Sequence, residues 1–189
     1  MRALASFADR DPIPWANGAG QTTELVSLAD SAQLTPGLRP WRLSIARLSR
    51  VGPFSALPGM ARTFLPTAEV TLDIDGHVHS VPALHPERFH GRQAVSLVGM
   101  AEPCFADDGA GGGAGDSGAG ASEGSASAHG ELQMSIGEQF PASRFRFVLT
   151  LESEVDFPRF QLLELERGEV APDEVSVAYL HTESGDAHI

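Results

Sequence analysis

The sequence predicts an all-β protein, an antiparallel barrel or sandwich, on three observations. Short segments with strand character recur at close intervals along its 189 residues. Two of them, Val70–Ile74 and His77–Val81, are joined by Asp75-Gly76, and an Asp-Gly pair between alternating segments is a hairpin signal. No stretch shows sustained helical periodicity with caps at both ends. The length suits one domain with a sizeable core or two small halves sharing one, so residues 1–189 are read as a single domain.

Taken in order, the chain opens with a mixed segment ending in Asp11-Pro12-Ile13-Pro14, whose prolines favour an extended lead-in. Trp15 to Glu24 then places an aromatic, an amide, two glycines and a carboxylate within ten positions, the composition of a recognition loop running into a strand. Gly18 and Gly20 permit positive φ and close backbone approach, while Asn17, Thr22 and Glu24 offer hydrogen-bonding groups of three kinds. A tight turn whose glycines serve geometry alone is the competing reading.

Trp41 to Ser49 alternates Trp41, Leu43 and Ile45 with Arg42, Ser44 and Ala46, so one face is greasy and the other small and polar. Such a polar face suits solvent, or equally the inner wall of a ligand-holding barrel. Val51 to Gly59 is rich in turn formers and reads as an ordered loop carrying Phe54 and Ser55. Pairing across Asp75-Gly76 sets Ile74 opposite His77 and Leu72 opposite His79. Pro82 to Gly91 reads as irregular, and Gln93 to Val98 as a strand.

From Ala106 to Gly130 nine of twenty-five residues are glycine, and Ala, Ser and Asp supply most of the rest. Such a segment buries too little apolar surface to offset its ordering entropy, which predicts a flexible surface insertion over 106–130. Removing it is then expected to leave the fold intact. Strand character resumes at Ser143–Leu151, Gln161–Glu166 and within Asp173–His181, and the last residues read as a frayed tail.

The net charge of −12 argues against nucleic acid, which is bound through clustered Lys and Arg. No apolar run is long enough for a membrane span, and charge interrupts the N-terminus too early for a signal peptide, so the expected location is cytoplasmic. All thirteen basic side chains are arginine, which excludes lysine Schiff-base chemistry. The sole cysteine, Cys104, cannot close an internal disulfide and reads as a small buried hydrophobe, because no basic neighbour would activate its thiol.

His77 and His79 point to one side of a strand, as a metal site would require, but the next carboxylate is Glu87 and a further ligand is missing. The expectation is no metal and no cofactor. Ser44 and Ser55 lack the setting of a nucleophile elbow, so no catalytic residue is assigned. Arg42 and Arg62 can each grip a carboxylate with two parallel hydrogen bonds, or form ordinary ion pairs.

Together, Trp15-x-Asn17-Gly18-x-Gly20-x-Thr22-x-Glu24, Trp41-Arg42-x-Ser44-x-Ala46, Gly52-Pro53-Phe54-Ser55, Pro58-Gly59 and Arg62 resemble the HutD/Ves family in order and spacing. The resemblance covers residues 14–76. It implies a bicupin-like (RmlC-like) β fold of two halves without the usual cupin metal ligands, linked to bacterial histidine utilisation or stress induction. Departures are Ala19 in place of a third glycine, the glycine-rich segment where a central strand is usual, and the pair His77 and His79.

Carried over residue by residue, the resemblance assigns ligand binding to Trp15, Asn17, Thr22, Glu24, Arg42, Ser44, Ser55 and Arg62. The expected function is metal-free binding of a small carboxylate metabolite of the urocanate or formiminoglutamate class, with a homodimer compatible. One alternative is a cupin-type enzyme, an isomerase or hydrolase using Glu24 as general base. The other is a protein-interaction or stress-response module tethered by residues 106–130.

Overall fold

The computed structural model describes residues 1–112, 132–136, 147–153, 157–166, 169 and 177–182. In chain order the first elements are β1 (Arg2–Ser6), β2 (Ile13–Pro14), β3 (Gly20–Val26), α1 (Leu28–Leu34), β4 (Trp41–Leu48), β5 (Gly52–Pro53) and β6 (Met60–Pro66). The hairpin β7 (Val70–Ile74) and β8 (His77–Val81) follows, then β9 (Glu87–His90), β10 (Val95–Met100) and β11 (Cys104–Gly112). Beyond these lie β12 (Leu132–Ile136), β13 (Phe147–Thr150), β14 (Gln161–Glu164) and β15 (Val177–Thr182).

These strands form three antiparallel sheets. A six-stranded sheet, β2-β3-β4-β11-β6-β9, is the middle layer. Its greasy face, with Trp41, Leu43, Ile45 and Leu65, packs on Phe147, Leu149 and Leu162 of the five-stranded sheet β1-β14-β13-β15-β12. The opposite face, with Ala46, Leu48, Phe64 and Ala106, packs on Val70, Leu72, Ile74, Val95 and Leu97 of the four-stranded sheet β5-β10-β7-β8. A bulge between Glu24 and Val26 turns both Leu25 and Val26 into the first of these cores. The all-β, antiparallel expectation holds. Each sheet runs from edge to edge, so a layered sandwich replaces the barrel among the described residues.

The hairpin has the anticipated register, Ile74 opposite His77 and Leu72 opposite His79. Asp75 and Gly76 have φ of 53° and 84°, the left-handed pair that matches strand twist in a two-residue turn. The Asp75 carboxylate accepts from Gln93 Nε2 at 2.8 Å and Ala94 N at 2.9 Å, which binds the turn to the edge of β10.

Three expectations are corrected. A short helix, α1, follows β3, announced by a capping box: Ser27 Oγ accepts from Asp30 N at 3.1 Å and Asp30 accepts from Ser27 N at 3.0 Å. Its seven residues are too few for periodicity to reveal. Within Pro82–Gly91, Glu87–His90 is a strand, because Phe89 is buried against the second core.

The third correction is the largest. Residues 106–112 are not part of an insertion: they belong to β11, paired on one side with β4 and on the other with β6. A strand flanked on both sides is held by backbone hydrogen bonds, whatever the size of its side chains. Ala110 sits between Arg42 and Arg62, and Gly109 between Leu43 and Thr63. The expectations for 113–130, 143–146, 173–176 and the tail 183–189 lie outside the described residues.

Candidate functional site

On the second face of the middle sheet a cavity of about 180 Å³ is lined by Trp15, Thr22, Arg42, Ser44, Ala46, Leu48, Phe54, Ser55, Leu57, Arg62, Phe64 and Asp108. Strand alternation explains the assembly. Thr22 on β3 pairs with Ala46 on β4, and Ser44 with Asp108 on β11, so these side chains rise on one face. The loop bearing Phe54 and Ser55 supplies the roof. A shallower outer recess shares Trp15, Phe54 and Ser55 and adds Asn17 and Pro53.

Six of the eight anticipated residues therefore line one cavity: Trp15, Thr22, Arg42, Ser44, Ser55 and Arg62. Asn17 does not. Its Oδ1 accepts from Ala19 N at 2.9 Å and its Nδ2 donates to Pro53 O at 3.3 Å, which staples the first loop to β5. Gly18 has a φ of 65°, and a Cβ on Gly20 would lie 2.5 Å from the Arg47 carbonyl oxygen. Both glycines thus serve loop geometry, the alternative that the sequence had left open. Trp15 is aimed by its Nε1, which donates to Thr22 Oγ1 at 2.7 Å.

Glu24 also lies off the cavity lining. Its carboxylate stands 3.6 Å from the Arg42 Nη2 and is 41% exposed, a loose surface pair that contributes little.

The two arginines differ. Arg62, 7% exposed, donates from Nε and Nη2 to the Asp108 carboxylate at 3.2 and 2.7 Å, and from Nη1 to the Ser55 carbonyl at 3.0 Å. Its guanidinium carbon also stands 5.0 Å from the Phe89 ring centre and 5.8 Å from that of Phe54. Arg62 is thereby committed to protein partners. Arg42 is committed only in part: beside the loose pair with Glu24, its Nε is buried without a hydrogen-bond partner among the described residues. A buried donor left unpaired costs free energy that a ligand acceptor would recover.

Sequence reasoning missed Asp108, Phe54 as a wall and Phe64. Asp108 was hidden by the low complexity around it, although the adjacent carboxylates Asp107 and Asp108 were a signal that a pure linker does not need. Its neighbour Asp107 points the other way, into the first core between Ile45 and Leu65, and is 1% exposed with neither oxygen bonded among the described residues. Burial first, and then the charge of Asp108, push its pKa well above the ordinary 3.8.

A raised pKa means that the folded protein keeps a proton that the unfolded chain has released. The resulting stabilisation is complete below about pH 3.8 and is lost as pH climbs toward the folded value. In urea unfolding across pH 4–8, Asp107→Asn is expected to gain steadily on the wild type as pH rises. Parallel profiles would refute a neutral Asp107.

His79 Nε2 stands 3.4 Å from Glu87 Oε1, so the carboxylate next in sequence does reach one imidazole of the pair. Among the described residues no three His, Cys, Asp or Glu side chains converge as a metal would need. Cys104 is buried, and burial raises its thiol pKa, away from thiolate chemistry. No helix among the described residues is long and apolar enough to cross a membrane.

Comparison with known proteins agrees with the arrangement. The HutD family profile matches residues 8–103, just over half of the chain and most of the cavity wall. The structure of HutD from Pseudomonas fluorescens SBW25 superposes with a TM-score of 0.62 at 20% identity, over 94% of this chain and 92% of that one. A conserved protein of unknown function from Pseudomonas aeruginosa PAO1 superposes with a TM-score of 0.61 at 16% identity, over 95% and 90% of the two chains. No curated protein matches by sequence.

Proposed function

Because the chain belongs to the HutD family, with its cupin-like β fold, we propose that it binds a small carboxylate metabolite, of the urocanate or formiminoglutamate class, in the cavity beneath Trp15 and Phe54. The protein would act without a metal and moderate histidine utilisation. The observation that carries this reading is the buried, unpartnered Nε of Arg42 in a cavity whose apolar wall is made by Trp15, Leu48, Phe54, Leu57 and Phe64. Such walls with a few directed polar groups are how small-ligand pockets are built. The two-halved bicupin arrangement belongs to the same proposal, supported by the two separate buried clusters on either side of the middle sheet.

Binding is favoured over turnover by the position of Glu24, which as a general base would have to reach the ligand but lies outside the cavity lining. A tethered interaction module loses part of its support, since the proposed tether begins with the paired strand β11.

Arg42→Lys keeps the charge and loses the planar fork. Calorimetric titration with urocanate, formiminoglutamate and histidine is expected to show affinity lowered about ten- to a hundredfold in this variant, the equivalent of a charge-assisted contact of about 1.5–3 kcal/mol. Equal affinities in a normally melting variant would return Arg42 to a structural role.

A further inference from the structure

Two nitrogens of Arg42 can serve one carboxylate together, and the protein itself comes near only one of them. Its Nε is buried with no hydrogen-bond partner among the described residues, while its Nη2 stands 3.6 Å from Glu24 Oε2, beyond hydrogen-bond length. Arg62, on the neighbouring wall, shows the same fork filled: its Nε and Nη2 donate to the two oxygens of Asp108 at 3.2 and 2.7 Å. These two N–H groups lie side by side on a guanidinium, so a single carboxylate spans both. Arg42 therefore carries that fork half approached and half empty.

Strand pairing explains where Glu24 stands. It lies opposite Ser44 on β4 and two residues beyond Thr22, so its side chain leaves the sheet on the cavity face, at the rim beside Arg42. The bulge between Glu24 and Val26 ends the regular register at this point. Its side chain is 41% exposed, so water solvates the carboxylate when the guanidinium does not hold it. Asp108, the carboxylate within the cavity lining, has both oxygens bonded to Arg62 and is not available to Arg42.

Resting on the reading that Arg42 holds a carboxylate, we infer that Glu24 is an internal competitor for that arginine: a carboxylate entering the fork takes Nη2 from Glu24 and gains the unpartnered Nε. Glu24 then turns to water. The guanidinium is compensated in both states, but the bound anion lies close to a second negative charge, which lowers its affinity. Glu24 acts through Arg42, so its effect is on how tightly a ligand is held and not on any chemical step.

The test is calorimetric titration of full-length Glu24→Gln and Glu24→Asp beside wild type, with urocanate and formiminoglutamate as the probes. Glu24→Gln keeps the shape and drops the charge, and is expected to bind whichever probe binds wild type about two- to tenfold more tightly. Glu24→Asp keeps the charge but draws it back by one methylene from Nη2, and is also expected to bind more tightly than wild type.

Lower affinity in folded Glu24→Gln would overturn the inference, because Glu24 would then steady Arg42 instead of competing for it, and unchanged affinity would overturn it as well. So would a gain in Glu24→Gln with none in Glu24→Asp, which would trace the effect to the general negative field and not to the contact. Thermal melting establishes that each variant is folded; should Glu24→Gln fail to fold, Glu24→Asp decides. If neither probe binds wild type or either variant, the carboxylate-binding reading falls and this inference falls with it.

Discussion

Replacing residues 106–130 with a short Gly-Ser linker is expected to leave no cooperatively folded protein. Ala106 to Gly112 form most of β11, whose partners are β4 on one side and β6 on the other. Their loss parts the middle sheet and exposes backbone groups of both neighbours, each group costing a hydrogen bond. It also uncovers the apolar side chains that β4 and β6 send into both cores, from Leu43 and Ile45 to Phe64 and Leu65. Gly109→Pro tests the same strand without changing chain length, because proline removes a ladder donor and is not tolerated in a strand paired on both edges. Loss of a cooperative melting transition, read by circular dichroism, is the expected result for the deletion, with a strongly lowered melting temperature for Gly109→Pro. A deletion variant that melts like wild type would show that β11 is dispensable.

Asp108→Ala is expected to lower the free energy of unfolding by about 3–5 kcal/mol, because it strands a buried guanidinium. Arg62 would keep its Ser55 carbonyl contact and its aromatic neighbours but lose both charge-assisted bonds to the carboxylate. The pair itself need not be worth that much. Replacing both charges with well-packed apolar residues is often neutral, since the desolvation of two ions opposes their attraction. The double variant Arg62→Met with Asp108→Leu is therefore expected to recover most of the loss. Urea unfolding of the wild type, Arg62→Met, Asp108→Leu and the double variant completes the cycle and isolates the coupling. Single-variant losses that simply add in the double variant would mean that the two side chains do not depend on each other.

Much of this was written in the order of residues. Alternation along Trp41 to Leu48 named the buried and the cavity-facing side chains of β4, because side chains on a strand alternate faces whatever the sheet around them. Asp75-Gly76 fixed a register of five residue pairs, since a two-residue turn of that type leaves the strands only one way to pair. The blocks from Trp15 to Arg62 identified the family and six of the residues that line the cavity.

Tertiary structure alone decided the rest. Composition judged Ala106 to Gly112 by its own side chains, but a strand between two others is stabilised by backbone bonds to its neighbours β4 and β6. Which of the two arginines could face a ligand depended on Asp108, 46 positions away from Arg62 along the chain. Likewise, the carbonyl that Asn17 Nδ2 donates to belongs to Pro53, 36 positions distant. Local sequence sets the direction in which a side chain leaves the backbone; the partner it meets there is set by chain folding across long separations.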